Sequence, residues 1–334
     1  NGVEMQLGRT SLDMASPPDI RDGENFMGYD SRDTSMLFKD SFWLPNFAAW
    51  SSLSANLDPR IRLTLGLRGD VFGRPGEVAV QPRGELKIKL TPQLTARLSS
   101  GAYVRPPEYQ SEVISPDAKS EHSLQNIIGL QYEPREGVRV QASAYYTDRT
   151  NLLTRPTGSA MLENLGRGTS VGGELLATYR GGPWFGWLSY SYSHSTRVDR
   201  PGEEQRLFSF DQPHSLNAAL SWKSGRWQLG GRFQLYSGLP YTPVLGSIYD
   251  SDRSVYVPQY GETNSQRAPL HHQLDLRLDY SWKWGPTALT AFLDVQNVYM
   301  NRSIVTYYYG FDFTQRGELT SLPLIPSIGL RGVL

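Results

Sequence analysis

The chain has 334 residues, no cysteine and a formal net charge of +0, with 39% hydrophobic residues and a mean hydropathy of −0.44. The lack of cysteine excludes disulfides, thiolate metal sites and cysteine nucleophiles, and the balanced charge argues against a broad surface for nucleic acid. No stretch approaches 18 consecutive apolar residues, so the sequence offers no transmembrane helix. The length allows one large domain or two smaller ones.

Segments of alternating hydrophobicity predict β-strands along the chain. We predict about 14 strands, which begin near residues 2, 47, 61, 80, 93, 122, 137, 168, 184, 213, 226, 269, 286 and 324. In the strand that begins at residue 61, Ile61, Leu65 and Val71 share one face and Arg62 and Asp70 share the other, as the two-residue period of a strand requires. The apolar faces run for about ten residues, which is the length of a tilted membrane-crossing strand.

The connections between these strands alternate between short and long. Six are tight turns, at 57–60, 91–93, 133–137, 180–183, 223–225 and 283–286. Long loops are predicted at 13–46, 105–121, 147–167, 238–268 and 299–323. Short turns at one edge of the strands and long loops at the other are typical of outer-membrane β-barrels, whose long loops face outside.

Tryptophan supports this topology, because six of the eight tryptophans lie within a few residues of a tight turn: Trp184, Trp187, Trp222, Trp227, Trp282 and Trp284. Such a cluster at one edge is typical of an interfacial aromatic girdle. A soluble β-sandwich with tryptophan in its core is the alternative, since its strands also alternate. Repeated full charges on one face and long apolar runs on the other favour the membrane barrel.

Four segments of the second half resemble TonB-dependent outer-membrane receptors in order and spacing. Residues 210–217 read FDQPHSLN, 237–243 read SGLPYTP, 293–301 read LDVQNVYMN, and 323–334 match the closing strand of those barrels. The resemblance implies an all-β fold, a transmembrane antiparallel β-barrel in the bacterial outer membrane that imports a bulky, scarce nutrient such as a ferric siderophore.

Receptors of this family have about 22 strands around a plugged lumen, whereas about 14 are predicted here. The whole chain, residues 1–334, is therefore expected to be the C-terminal portion of a larger barrel. The plug domain or the missing strands are expected on the parent or another chain, the TonB system would act only through that plug, and the lipid of the outer membrane would surround the barrel. A structural, adhesin or surface-complex subunit that does not transport, and a complete 14-stranded passive channel, remain as alternatives.

Aromatic and cationic residues near strand ends and in long loops are the candidate ligand-binding residues. They form three groups along the chain: Tyr103, Arg105 and Tyr109; Tyr241, Tyr249, Tyr256 and Tyr260; Tyr307 and Tyr309. Aromatic rings with arginine would suit a ferric chelate or another bulky anionic nutrient through stacking and charge. The alternative is an outer aromatic girdle with loops that pack on themselves.

No pattern in the sequence indicates catalysis, a cofactor or a metal. His271 and His272 are neighbours in a predicted strand, so they point to opposite faces and cannot easily bind one ion together. The acidic loop residues do not have the spacing of an EF-hand: Asp250, Asp252, Glu262, Asp312 and Glu318. HExxH, Walker and GxGxxG motifs are absent, so we expect no enzyme, no cofactor and no nucleic-acid partner.

Overall fold

The computed structural model describes residues 1–16, 36–108, 111, 115–154, 162–252 and 254–333. Strands dominate these residues, and their bounds are β1 Gly2–Ser16, β2 Met36–Asp58, β3 Ile61–Phe72, β4 Glu77–Lys89, β5 Leu94–Arg105, β6 Glu121–Arg135, β7 Val138–Thr154, β8 Glu163–Gly181, β9 Trp184–Val198, β10 Arg206–Leu207, β11 His214–Ser224, β12 Trp227–Tyr236, β13 Pro240–Tyr241, β14 Val244–Asp250, β15 Val255–Tyr260, β16 Gln266–Arg267, β17 His271–Trp284, β18 Thr287–Gln296, β19 Ile304–Tyr309, β20 Arg316–Thr320 and β21 Ile325–Val333. Within the described residues, no helix is long and apolar enough to cross a membrane.

One large antiparallel sheet forms the wall of the molecule. Its strands follow the order β1-β2-β3-β4-β5-β6-β7-β8-β9-β11-β12-β17-β18-β21, and β10 adds a short pairing to β9. This path contains the 14 strands that the sequence predicted, and all but β2 and β8 begin within three residues of the predicted positions. In the described part of the chain β1 pairs only with β2 and β21 only with β18, so the sheet does not close on itself.

The strands differ from the prediction mainly at their loop-side ends. β2 begins at Met36 instead of near 47, and its pairing with β1 continues to Ser16. β7 continues to Thr154 and β8 begins at Glu163, inside the predicted loop 147–167. These extensions carry polar residues on both faces, so hydrophobic alternation cannot reveal them.

The sheet has one apolar and one polar face, and the register confirms the predicted alternation. On β3, Leu65, Leu67 and Val71 are exposed on the apolar face. On the opposite face Arg68 donates to Asp70, which is buried. A polar interior and an apolar outer band are the expected arrangement of a membrane barrel.

Most of the predicted tryptophan girdle lies on the apolar face. The rings of Trp184 and Trp222 are 6.4 Å apart on paired residues near two tight turns. Trp187 is the exception, because it pairs with Ala219, whose other partner is Arg232 of the polar face. The prediction was therefore wrong for Trp187, since proximity to a turn does not determine the face of a strand residue.

Two predicted loops contain β-structure of their own. Residues 238–268 carry the hairpin β14–β15 and the short pair β13–β16, and 299–323 carry the hairpin β19–β20. The two hairpins touch where Ser247 Oγ donates to the backbone oxygen of Asp312 at 2.6 Å. Strands this short resemble irregular loops in sequence, because few alternating positions are available to identify them.

Candidate functional site

A row of paired residues crosses the polar face near the loop-side ends of β5 to β9. In the register, Tyr103 lies opposite Ser123, Ser123 opposite Arg149, Arg149 opposite Gly168, and Gly168 opposite Arg197. Directly opposed residues of antiparallel strands share a face. Five strands therefore bring a tyrosine and two arginines that are distant in sequence onto one surface.

This row lines a cavity of about 460 Å³. Arg105 and Glu121 extend it beyond the row, and Phe208 and Phe210 close one side. The two phenyl rings lie 5.4 Å apart, and the guanidinium of Arg197 lies 4.0 Å from the centre of the Phe208 ring. The cavity thus combines aromatic surface with cationic groups.

Positive charge predominates among the lining residues, which include three arginines and one carboxylate. That carboxylate, on Glu121, accepts from Arg105 at 2.7 Å and from the backbone N–H of Leu153 at 3.0 Å. Arg149 donates to Ser170 Oγ at 2.8 Å, and no carboxylate among the described residues pairs with it. A cavity with excess guanidinium groups favours an anion.

A buried ion pair holds the phenylalanine side of the cavity in place. The fully buried Asp211 accepts from the backbone N–H of Ser195 at 2.6 Å and from Arg267 Nη2 at 2.5 Å. Arg267 also donates to the backbone oxygens of Asp211 and Gly238, at 2.6 and 2.9 Å. Because Asp211 directly follows Phe210, these bonds hold the aromatic segment against β9 and against the loop that carries β16.

The structure divides the predicted ligand-binding residues into two places. Tyr103 and Arg105 line the cavity, and Tyr109 lies outside the described residues. The hairpin tyrosines form a separate aromatic cluster, whose ring contacts are Tyr241–Tyr307 at 4.9 Å, Tyr249–Tyr256 at 5.0 Å, Tyr256–Phe311 at 5.5 Å and Tyr309–Phe313 at 6.2 Å. Tyr260 lies at the end of β15. In the described part of the chain, none of these hairpin tyrosines lines the cavity.

Tyr307 is the most enclosed member of the hairpin cluster. It is buried between Tyr241 and Arg316, whose guanidinium lies 4.3 Å from its ring centre. Burial raises the pKa of its phenol above the ordinary value, which favours the neutral form. These contacts support packing of the hairpins on each other and agree with the alternative of loop self-packing for this group.

The sequence analysis missed most of the lining residues, including the charged and aromatic ones Arg149, Arg197, Phe208 and Phe210. The alternation of β7 contained a signal for Arg149. This residue is an even number of positions from Gln141, Ser143 and Tyr145, so it lies with them on the polar face. The register that places it in the same row as Arg197 depends on two strand pairings that local patterning does not specify.

The two neighbouring histidines lie on opposite faces, as the sequence analysis expected. The His271 ring stacks on Tyr236 with 4.3 Å between centres, and His272 Nδ1 lies 2.8 Å from the hydroxyl of Tyr299. Among the described residues, no group of three or more His, Asp or Glu side chains is arranged to hold a metal ion.

Comparison with known proteins agrees with this architecture. The sequence model described as "TonB dependent receptor-like, beta-barrel" matches residues 8–298. The search of curated protein sequences found no match.

Solved structures with the same fold are outer-membrane receptors of low sequence identity. The ferric yersiniabactin uptake receptor FyuA from Yersinia pestis has a TM-score of 0.69 and 15% identity over 99% of this chain and 50% of its own. The iron transporter FrpB from Neisseria meningitidis has a TM-score of 0.63 and 16% identity, covering 87% of this chain and 45% of its own. The ferripyoverdine receptor of Pseudomonas aeruginosa has a TM-score of 0.64 and 13% identity, covering 90% of this chain and 40% of its own.

The chain spans half or less of the length of these structures. The family match covers most of the chain and coincides with the large antiparallel sheet, its apolar outer face and its long loop-side ends. The chain belongs to the β-barrel family of TonB-dependent receptors, which lie in the outer membrane of Gram-negative bacteria.

Proposed function

We propose that this chain is the barrel portion of a receptor that captures a bulky anionic nutrient, such as a ferric siderophore, at the outer mouth of the barrel for TonB-dependent import. The observation that carries the proposal is the cavity between Arg105, Arg149, Arg197 and the Phe208–Phe210 pair. It lies where the long loops leave the strands, at the end opposite the tight turns. A ligand that arrives from outside would meet this surface first.

The chemistry of the cavity suits this class of ligand. Guanidinium groups bind carboxylate and other oxyanions through paired hydrogen bonds, and aromatic faces hold flat or apolar ligand parts. Each hydrogen bond to a charged group contributes about 1.5–3 kcal/mol when it is shielded from water. Two or three such contacts, added to the burial of apolar ligand surface, would be sufficient for micromolar binding or tighter, about −8 kcal/mol.

Import by this chain also requires partners, because among the described strands one edge of β1 and one edge of β21 have no neighbour in the sheet. We propose that further barrel strands, on the same protein or on another chain, pair with β1 and β21, and that a plug domain inside the completed barrel contacts the TonB system. Unpaired backbone groups in lipid cost several kcal/mol each, which excludes an open sheet in the membrane. A 14-stranded passive channel would instead have to pair β1 with β21.

Cysteine cross-linking distinguishes a barrel completed by further strands from a closed 14-stranded ring. The sequence contains no cysteine, so pairs introduced along β1 and β21, such as Met5→Cys with Leu330→Cys, report only on contact between these strands. We expect no intramolecular disulfide for any pair in the outer membrane of intact cells. A disulfide that forms in high yield at consecutive pairs would show a 14-stranded ring and contradict the proposed partners.

Uptake measurements test the role of the cavity. We expect the double substitution Arg149→Gln with Arg197→Gln to lower uptake of radioactive iron from an anionic chelate at least about tenfold at limiting concentration. A panel of hydroxamate, catecholate and carboxylate chelates identifies the ligand class. Arg139→Gln is the matched control, because Arg139 lies at the tight-turn end of the same strand, where it pairs with Glu133 at 2.6 Å. Undiminished uptake of every transported chelate at equal receptor levels would refute the proposal.

A further inference from the structure

Three exposed cations lie among the tryptophans at the tight-turn edge of the wall. Lys223 and Arg226 lie at the turn between β11 and β12, and Lys283 lies near the end of β17. The backbone N–H of Ser281 donates to the backbone oxygen of Arg226 at 2.8 Å, so this turn adjoins the end of β17. Lys283 is two residues further along that strand, about 7–8 Å from Arg226 as diagonal neighbours are. We call Lys223, Arg226 and Lys283 the turn cations.

The charge of this edge is not balanced by carboxylates. The two turns and the strand ends that flank them, residues 218–230 and 280–290, contain no aspartate or glutamate. Asp279, the next residue of β17, pairs with Arg277 at 2.9 Å, and both belong to the polar face. The turn between β2 and β3, by contrast, carries Asp58, and the turn between β6 and β7 carries Glu133 and Glu136. Excess positive charge thus coincides with the tryptophan-rich part of the edge.

Exposed aromatic rings adjoin the turn cations on the apolar face. Arg226 Nη1 donates to the hydroxyl of Tyr280 at 3.3 Å, and the Tyr280 ring lies 4.7 Å from the Trp227 ring and 5.9 Å from the Trp282 ring. Trp227 is 48% exposed and Trp284 is 75% exposed. Interfacial tryptophan and tyrosine rings lie at the headgroup level of a bilayer, so the Arg226 guanidinium lies at the depth of the lipid phosphates.

We propose that the turn cations and these aromatic rings form a binding site for one anionic phospholipid of the inner leaflet, such as phosphatidylglycerol. The tight turns of outer-membrane barrels face the periplasm, so this edge meets phospholipid headgroups. A guanidinium binds a phosphate through paired hydrogen bonds, and an ammonium group binds it as a point charge.

The same contacts discriminate against other occupants. A zwitterionic headgroup carries an ammonium group of its own, which the turn cations repel, so a lipid with net negative charge is favoured. The aromatic rings pack against the glycerol backbone and the first acyl carbons, which a soluble phosphate lacks. The site therefore selects for both the charge of the headgroup and the lipid body.

A second pair of adjoining turns supplies a matched control. The backbone N–H of Lys89 donates to the backbone oxygen of Arg60 at 2.8 Å, which is the arrangement found between Ser281 and Arg226. Residues 51–97, which include both turns, contain no tryptophan, and Asp58 accepts from the backbone N–H of Arg60 at 2.9 Å. This pair offers two cations without the aromatic rings and with a carboxylate beside them.

Native mass spectrometry of the receptor, purified from outer membranes with any chains that remain bound to it, tests the inference. Phosphatidylglycerol and phosphatidylethanolamine with identical acyl chains are titrated in the same detergent. We expect the first phosphatidylglycerol to bind at least about tenfold more tightly than the first phosphatidylethanolamine. Arg226→Gln with Lys283→Gln should remove this preference, since each cation near an anionic headgroup contributes roughly a factor of five. Arg60→Gln with Lys89→Gln removes the same charge and should leave the preference unchanged.

Trp227→Ala tests the aromatic part of the site with all three turn cations in place, and it should weaken phosphatidylglycerol binding severalfold. The heat-dependent gel shift verifies that each variant is folded. Equal affinity for the two lipids, a preference that survives the Arg226 and Lys283 substitutions, or an equal loss in the Arg60 and Lys89 variant would overturn the inference. Unchanged binding by Trp227→Ala, or displacement of the lipid by inorganic phosphate, would also overturn it, because the site would then recognise the anion alone.

Discussion

Replacing Leu276 with arginine should be among the most costly single changes in the wall. Leu276 lies on the apolar face of β17, 42% exposed, opposite Gly231 and Val295. Six residues separate it from the girdle residue Trp282, which corresponds to about 20 Å along the strand and about 14 Å of depth at a 45° tilt. The apolar band of such barrels is about 25 Å tall, so Leu276 lies close to the bilayer midplane, where arginine costs about 2–4 kcal/mol.

The neighbouring substitution Arg277→Leu is the matched comparison, since it makes the opposite change on the opposite face. Arg277 donates to Asp279 at 2.9 Å, lies 3.6 Å from Asp294 and stacks over Phe292 at 4.2 Å. Removing it leaves two carboxylates without this partner. Arg277→Leu therefore lowers the free energy of unfolding by more than its position on the polar face alone would suggest. Because the Arg277 side chain is 41% exposed, solvent screening reduces the loss to about 1 kcal/mol.

Urea titration of folding into lipid vesicles measures both variants, with the heat-dependent gel shift of the folded barrel as the readout. We expect the free energy of unfolding to decrease for both, and to decrease by about 1–3 kcal/mol more for Leu276→Arg than for Arg277→Leu. Leu276→Gln should fall between the wild type and Leu276→Arg. Equal losses, or a larger loss for Arg277→Leu, would show that the two faces of β17 are assigned the wrong way round.

Four further substitutions test local features, the first three by the same unfolding measurement and the last by ligand binding as well. Asn297→Ala should lower the free energy of unfolding by about 3 kcal/mol, because its buried side-chain amide forms hydrogen bonds with Asn301 and Leu322 and its backbone has a φ of 52°. A loss below about 1 kcal/mol would contradict this role. Gly137→Ala should be more destabilising than Gly182→Ala, since both have positive φ but only at Gly137 would a Cβ lie 2.0 Å from a backbone oxygen; the reverse order would refute the steric argument. Asp211→Asn should lower the free energy of unfolding and weaken ligand binding together, because it removes one charge of the ion pair that holds the aromatic side of the cavity, and unchanged affinity would refute this.

The membrane-crossing part of the fold was predictable from sequence because lipid imposes strict rules on it. A strand that faces lipid on one side and water on the other must alternate, and a barrel without helices must turn sharply at one edge. The starts of β3 and β9, at Ile61 and Trp184, accordingly agree with the prediction to the residue. The extension of β2 back to Met36 was missed because polar residues such as Lys39, Asp40 and Ser41 occupy both faces of that segment and interrupt the alternation.

The candidate site was only partly predictable, for a different physical reason. Tyr103 and Arg105 were identified because aromatic and cationic residues adjoin at the end of one predicted strand. Arg149 and Arg197 required the register of two strand pairs, β7–β8 and β8–β9, which the sequence does not reveal locally. The hairpin tyrosines have the same composition as ligand-binding groups, but contacts such as Tyr241 with Tyr307 depend on the packing of two loops that sequence patterns did not identify as strands.

The residues that carry the family resemblance and the described residues that line the cavity overlap only at Phe210. Asp211, Asn297 and Asn301, from the recognisable motifs, tie strand ends to loops through buried hydrogen bonds, and within the described residues none of the three lines the cavity. Such contacts hold the loops on the barrel wall. The motifs therefore identify the fold, whereas the ligand must be inferred from the row that contains Arg149 and Arg197.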